Sequence, residues 1–93
     1  MARITVAALI ITNAAADHMW ERHLIDTEQV REILDGRYKV IPNHGDAPYR
    51  LLGRDAQGRC IAAPIYPTDD PIVWMAVSAW YCDKEEQMIL RQR

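Results

Sequence analysis

The segment Tyr49–Pro67, with the sequence YRLLGRDAQGRCIAAPIYP, decides the fold of this chain. Its two apolar runs, Tyr49–Gly53 and Cys60–Tyr66, flank a polar turn that begins with Arg54 and Asp55. Apolar runs separated by a cluster of Asp, Gln and Gly residues are typical of an antiparallel β-hairpin. Because the chain before this hairpin carries helical patterns, the sequence predicts a small α+β fold.

Two N-terminal helices are predicted from residue types and spacing. The first spans Ala14–His23, with Asn13 as its cap and three alanines, which are strong helix formers, at its start. The second spans Thr27–Asp35, follows Asp26 in a capping-box pattern and carries an apolar stripe at helical spacing. Gly36 comes next, as glycine commonly follows the end of a helix.

Strand patterns predict the rest of the sheet. Ile4–Thr12 and Arg37–Pro42 contain β-branched residues and are strand candidates. Ile72–Cys82 is the most apolar candidate, so we expect it to be the central strand. A short C-terminal helix over Lys84–Gln92 follows Asp83 as its cap. The expected architecture is one antiparallel sheet of about four strands, with both N-terminal helices packed on it.

The net charge of −2 conceals a basic middle segment. Residues 1–36 carry a net charge of −3 and residues 60–93 one of −2, whereas residues 37–59 carry +3. Positive charge confined to the middle strands favours a local anionic ligand over a surface that coats nucleic acid. A solvated face of the sheet is the alternative explanation for this charge pattern.

The length of 93 residues predicts a single domain, residues 1–93.

Several classes of function are disfavoured by what the sequence lacks. Cys60 and Cys82 are too few for a disulfide scaffold or a four-ligand zinc site, so free thiols and a cytoplasmic location are expected. The apolar run within Ile4–Thr12 is too short to span a membrane and is predicted to be a strand rather than a signal peptide. The sequence carries no P-loop, dinucleotide-binding or paired-carboxylate motif, so neither a cofactor nor a metal is expected.

Five short motifs follow one another along the chain: DHMWERH at 17–23, DTEQVREIL at 26–34, YRLLGR at 49–54, GRCI at 58–61 and VSA at 77–79. In this order they resemble the BrnT-like toxins of bacterial type II toxin–antitoxin pairs, which belong to the wider RelE-like ribonuclease superfamily. The resemblance implies a RelE-like fold, a metal-independent endoribonuclease activity, and an antitoxin, encoded nearby, that covers the site.

The chain departs from this family pattern at three positions. Leu24 replaces the glycine that usually follows the helix-ending histidine, and Pro48 replaces a strand arginine, although Arg50 lies two residues on. Trp80 replaces the arginine that normally follows the V-[ST]-A motif. Because a ribonuclease of this type stabilises developing phosphate charge with arginine or lysine, the change at position 80 removes such a donor.

The resemblance implies catalytic roles for His23, Arg50, Arg54 and Ser78. Arg50 and Arg54 are four residues apart, so on a strand they share one face with Leu52 between them. The alternative is that they are outward charges that protect an exposed strand from pairing. The alternative for His23 is a favourable interaction with the last carbonyls and the dipole of its helix.

The tryptophans predict an interaction surface. Strict alternation places Trp74, Ser78 and Trp80 on one face of the last strand, where Trp74 and Trp80 are candidate interface residues. Such a face suits a second copy of the chain or another partner protein. The expected RNA-binding residues are Arg37, Lys39 and Arg59.

Two functions therefore compete. The first is a toxin-like protein of the BrnT and RelE type that binds or cleaves RNA and is neutralised by an antitoxin. The alternative is a non-catalytic dimerisation or partner-binding domain on the same scaffold. The ordered motifs favour the first function, and Trp80 with the acidic net charge favours the second. The candidate partners are an antitoxin, RNA and a second copy of the chain, and no membrane.

Overall fold

The structure of the protein, a computed structural model, describes residues 4–92. Within that range the chain forms six strands and three α-helices, and a 3-10 turn at Ile33–Asp35 extends the second helix. In chain order the elements are β1 (Ala8–Ile10), α1 (Asn13–His23), α2 (Thr27–Glu32), β2 (Tyr38–Pro42), β3 (Tyr49–Arg54), β4 (Cys60–Pro67), β5 (Val73–Ala76), β6 (Trp80–Tyr81) and α3 (Lys84–Arg91).

All six strands belong to one mostly antiparallel sheet. Its order is β1-β5-β4-β3-β2, and β6 also pairs with β4. β1 and β5 are parallel, whereas the other pairings within residues 4–92 are antiparallel. The predicted α+β fold and hairpin are confirmed, with more strands than the four expected. The central strand is β4 rather than the Ile72–Cys82 segment, because β4 pairs with β3 on one side and with β5 and β6 on the other.

A bulge divides the predicted last strand into β5 and β6. Ala62 and Ile65 of β4 are three positions apart, whereas their partners Trp80 and Ala76 are four positions apart. The segment between β5 and β6 therefore holds one extra residue, which reverses the alternation of side chains beyond it. Pro64 of β4 lies opposite this segment, and its lack of an N–H group favours an interruption of the ladder there.

Helices cover both faces of the sheet. On one face, α1 and α2 contribute Met19 and Val30 to a large apolar core that includes Leu51 of β3. On the other face, Leu90 of α3 packs in a smaller core with Leu52 of β3. α3 thus lies over the face that carries the even-numbered residues of β3. None of the helices within residues 4–92 is long and apolar enough to cross a membrane.

The helix ends follow local signals with one correction. The cap of α1 is Thr12 rather than Asn13, because the Thr12 hydroxyl accepts a hydrogen bond from the Ala15 N–H at 3.1 Å. The predicted capping box of Asp26 and Gln29 is present at the start of α2. α1 ends at a residue in the left-handed conformation, a geometry that favours glycine, and this residue is Leu24, with φ of 56°.

Cys60 and Cys82 form a disulfide bond, so the prediction of two free thiols is wrong. They are 22 residues apart in sequence, but the pairing of β4 with β6 brings their Cα atoms to 5.3 Å. The Cys82 N–H also donates to the Cys60 carbonyl at 2.9 Å. Because Cys82 directly precedes the cap residue of α3, the bond fixes the beginning of this helix to the sheet.

Candidate functional site

Arg50 is held by three partners on the face that α3 covers. Its Nη1 donates to Glu86 Oε2 at 2.9 Å, while its Nε and Nη2 donate to Asn43 Oδ1 at 3.0 and 2.7 Å. The guanidinium carbon lies 5.2 Å from the centre of the Trp80 ring, which is a cation–π distance. All three guanidinium nitrogens are engaged, and 19% of the side chain is exposed.

Glu86 is the buried centre of this cluster, with 4% of its side chain exposed. Besides the bond from Arg50, its carboxylate accepts hydrogen bonds from Trp80 Nε1 at 3.2 Å and from the Asp83 N–H at 2.9 Å. The bond from Asp83 is one half of a capping box at the start of α3. Because a buried carboxylate needs a paired cation, Arg50 and Glu86 neutralise each other.

Trp80 contacts both Arg50 and His23. The ring centroids of His23 and Trp80 are 6.5 Å apart, within the range of interacting aromatic pairs. Two residues with predicted catalytic roles, His23 and Arg50, are therefore brought to one tryptophan. Trp80 is partly buried and packs against the smaller core, so its indole is only partly available to a partner.

Arg37 and Lys39 bind the C-terminal end of α3. Arg37 Nη2 donates to the carbonyls of Leu90 at 2.9 Å and Gln92 at 2.7 Å. Lys39 Nζ donates to the Ile89 carbonyl at 2.5 Å and to the Gln92 carbonyl. These cations complement the negative end of the helix dipole. These carbonyls carry no net charge, so the contacts do not pair Arg37 and Lys39 with an anion, whereas Arg50 is paired with Glu86.

Arg54 is exposed and lies apart from the Arg50 cluster. Its Nη1 donates to the Gly58 carbonyl at 3.1 Å within the hairpin turn. Together with Arg37 and Arg91 it lines a groove of about 660 Å³, whose walls also carry acidic side chains. The shared face of Arg50 and Arg54 thus contains two separate cationic sites, one neutralised and one open to solvent.

Arg59 belongs to the hairpin turn and is paired with Asp55. Its Nε donates to Asp55 Oδ2 at 2.8 Å, and its guanidinium lies 5.6 Å from the centre of the Tyr81 ring. Burial raises the pKa of Asp55, but hydrogen bonds from Arg59, Gln29 and Gln57 outweigh it, so the pKa lies below its usual value. Asp55 therefore organises the turn as a charged, fully buried side chain.

The predicted aromatic face does not form. Trp74 is 8% exposed, and its indole N–H donates to the Thr5 carbonyl at 3.2 Å in the large core. Trp80 lies on the opposite face because of the bulge, so the prediction that Trp74 and Trp80 share a face is wrong, and Trp74 is a core residue. Ser78 lies, half-buried, in the irregular segment between β5 and β6.

Histidines and acids do not gather into a metal site in the part of the chain that the structure describes, where no group of three or more His, Cys, Asp or Glu side chains is placed to hold a metal ion. The ring centroids of His18 and His23 are 6.2 Å apart. Their contact is edge-to-face, the geometry of packed aromatic rings.

The sequence did not predict the two hydrogen-bond partners of Arg50, which are Glu86 and Asn43. The D-x-x-E pattern of Asp83 and Glu86 is a visible signal for a capping box. No sequence signal pairs Glu86 with Arg50, which lies 36 residues earlier in the chain. Asn43 precedes Arg50 by seven residues and lies in a loop, where no periodic pattern predicts its contact with Arg50.

The fold is that of a known ribonuclease toxin. The crystal structure of the Brucella abortus ribonuclease toxin BrnT superposes on this structure with a TM-score of 0.59 and 18% sequence identity. The match covers 83% of this chain and 97% of that chain. At this identity the likeness shows the fold, so the BrnT-like fold implied by the sequence motifs is confirmed. No protein-family model matches the chain, and a search of curated proteins finds no match.

Proposed function

We propose that the chain is a toxin-like protein that binds or cleaves RNA and is neutralised by an antitoxin encoded nearby. The observation that carries this proposal is the fold of the chain, whose superposition on the BrnT ribonuclease toxin covers 97% of that toxin's chain. The motifs at 17–23, 26–34 and 49–54 resemble the same family in the same order. The fold and the motif order support each other because one comes from backbone geometry and the other from residue identity.

Three cations near the end of α3 and the hairpin turn, Arg37, Lys39 and Arg54, are the proposed RNA contacts. Arg54 is open to solvent, and Arg37 and Lys39 donate to carbonyl groups, which carry no net charge. Phosphate contacts of this kind give affinity without sequence preference and make binding depend on salt. Arg59 is a weaker candidate, because Asp55 neutralises its charge.

The proposed reaction is a metal-independent cleavage of the RNA backbone. A ribose 2′-oxygen attacks the adjacent phosphorus, its proton passes to a base, and the 5′-oxygen leaves with a proton from an acid. His23 is the proposed proton carrier, since an imidazole can accept a proton at one ring nitrogen and donate one from the other. Arg50 and Ser78 are the proposed phosphate contacts, provided that Arg50 is released from Glu86.

A non-catalytic interaction domain is the second candidate function. Two observations favour it: Arg50 is neutralised by Glu86, and Trp80 stands where the related toxins have arginine. An indole has one N–H donor and no charge, so it cannot stabilise a developing phosphate charge as a guanidinium does. In this function the exposed part of Trp80 contacts a second copy of the chain or another protein.

We propose the cytoplasm as the location, because the RNA substrate would be found there. A disulfide such as Cys60–Cys82 is uncommon in that reducing environment, so the cytoplasmic protein would be reduced. Activity is therefore to be measured in both the oxidised and the reduced protein.

Induced expression in bacteria, with and without the neighbouring gene, tests the proposed function. We expect growth arrest that the neighbour relieves, and cleavage of total RNA by the purified protein.

Arg54→Ala with Arg37→Ala is expected to weaken RNA binding. It is also expected to lower the slope of the salt dependence of binding by about 1.4, since each lost phosphate contact to a single strand is worth about 0.7. Arg22→Ala with Arg31→Ala, which removes two exposed arginines on the helices over the opposite face, is the matched control. Absence of growth arrest together with absence of RNA binding would favour the interaction domain.

A further inference from the structure

The Arg50–Glu86 pair has the form of an occupied anion site. Arginine presents N–H groups in a planar fork that suits the oxygens of a carboxylate or a phosphate. Here Nη1 meets the Glu86 carboxylate, while Nε and Nη2 both donate to one amide oxygen of Asn43. Asn43 thus holds one edge of the Arg50 guanidinium, and the Nη1 group of Arg50 faces α3.

Glu86 reaches this position because α3 is attached to the sheet at both ends. At the N-terminal end, the disulfide of Cys82 and the capping box of Asp83 fix the first turn. At the C-terminal end, Arg37 and Lys39 bind the last carbonyls. The carboxylate is therefore held in position against Arg50, and only 4% of the Glu86 side chain is exposed.

There is open space on both sides of the pair. A groove of about 320 Å³ beside Trp80 and Asn43 is lined by Arg50. A second groove of about 440 Å³ beside His44 and Ile89 is lined by Arg50 and Glu86. An anion therefore has room to approach Arg50 from either groove once Glu86 no longer occupies its N–H groups.

We infer that Glu86 is an internal substitute for a phosphate group at Arg50, so that the chain blocks its own anion site through α3. A phosphate ligand contacts Arg50 only when Glu86 is displaced or loses its charge. Arg54 lies outside the pair and stays available throughout. The inference rests on the proposed function only in taking RNA as the natural ligand, because the guanidinium of Arg50 could bind any phosphate group.

Glu86→Gln tests this inference without removing the helix cap. The glutamine side-chain oxygen can still accept from the Asp83 N–H and from Trp80, as Gln29 does in the capping box of α2. The matched control is Glu85→Gln, which removes the same charge from the same helix turn at an exposed position. Arg50→Ala combined with Glu86→Gln removes the group that the first change would release.

The first readout uses inorganic phosphate, so it does not depend on RNA binding. Phosphate is titrated into the protein while the Nε–H resonances of the arginines are followed by NMR. In the unchanged protein we expect Arg54 to shift and Arg50 to stay, and in Glu86→Gln we expect both to shift. An Arg50 shift equal to that of Arg54 in the unchanged protein would overturn the inference, even if the variant did not fold.

The second readout is the affinity for a labelled 12-nucleotide oligouridylate. Glu86→Gln is expected to bind on the order of tenfold tighter than Glu85→Gln, since a hydrogen bond to a charged group is worth about that factor. The double variant with Arg50→Ala is expected to lose this gain. Equal phosphate shifts in the two glutamine variants would refute the internal block. If Arg50 responds to phosphate in Glu86→Gln but no variant binds the RNA, the block stands and the proposed function fails.

Discussion

Removing the Cys60–Cys82 disulfide is expected to be the most costly change that leaves the fold intact. The bond closes a loop of 22 residues. Loop-closure entropy for about that length gives roughly 3.4 kcal/mol of stabilisation through the unfolded chain. A domain of this size has a free energy of unfolding of roughly 5–14 kcal/mol, so reduction removes a quarter of it or more.

Thermal unfolding followed by circular dichroism measures this loss. At about 4–8 °C per kcal/mol for a small domain, the reduced protein is expected to melt roughly 14–27 °C below the oxidised one. Cys60→Ala with Cys82→Ala serves as a variant that cannot form the bond. Adding reductant to that variant must change nothing, which separates the loss of the bridge from other effects of the reductant.

Two results would contradict the expected loss of stability. Alkylation of the unfolded, unreduced protein must add no label, because both sulfurs are in the bridge. Two labels per chain would show that the bond does not form. Complete reduction, proven by mass, with an unchanged melting temperature would show that the loop is already restrained in the unfolded chain.

Three further changes probe single residues. The pKa of Asp55 is lowered in the folded state, so its contribution to stability is complete above the ordinary value of 3.8 and is lost as the pH falls through the folded pKa. Asp55→Asn should therefore cost about 2 kcal/mol at pH 7. It should also flatten the acid limb of the stability curve, and an unchanged limb would contradict this. Gly53→Ala is expected to destabilise by about 1–3 kcal/mol in urea unfolding, since a Cβ there would overlap Ile33 Cγ2, whereas Gly36→Ala meets open space and should be close to neutral. Leu24→Gly should stabilise by about 0.5–1 kcal/mol by relieving the left-handed backbone at a side chain that is 65% exposed, and a loss of stability would mean that Leu24 makes a contact worth more than the strain.

The parts of the fold that the sequence predicted depend on neighbours in the chain. The hairpin of β3 and β4 and the capping box before α2 each need only residues a few positions apart. The C-terminal helix was predicted from its Asp83 cap for the same reason. Such local signals can be read from the sequence because the residues concerned are close together in the chain whether or not it is folded.

The parts that failed depend on contacts across the sheet. Strict alternation along one strand places Trp74 and Trp80 on the same face. A bulge between them, opposite Pro64 with its missing N–H group, puts the two side chains on opposite faces. The disulfide depends on the pairing of β4 with β6, which brings together residues far apart in sequence. Alternation along β3 places Arg50 on the same face as Leu52, but the acid that neutralises Arg50 comes from the far end of the chain.

The two ends of α3 are attached with unequal strength, and this difference bears on how a partner would reach Arg50. The beginning of the helix is joined to the sheet by a covalent bond and by a buried ion pair. Its end is held by side chains of Arg37 and Lys39 that are partly open to water, where such bonds contribute little. A ligand that competes for these cations would therefore loosen α3 from its C-terminal end first. Arg37 and Lys39 would be released from the helix early, and Arg50 last, because its release requires the buried Glu86 to be withdrawn.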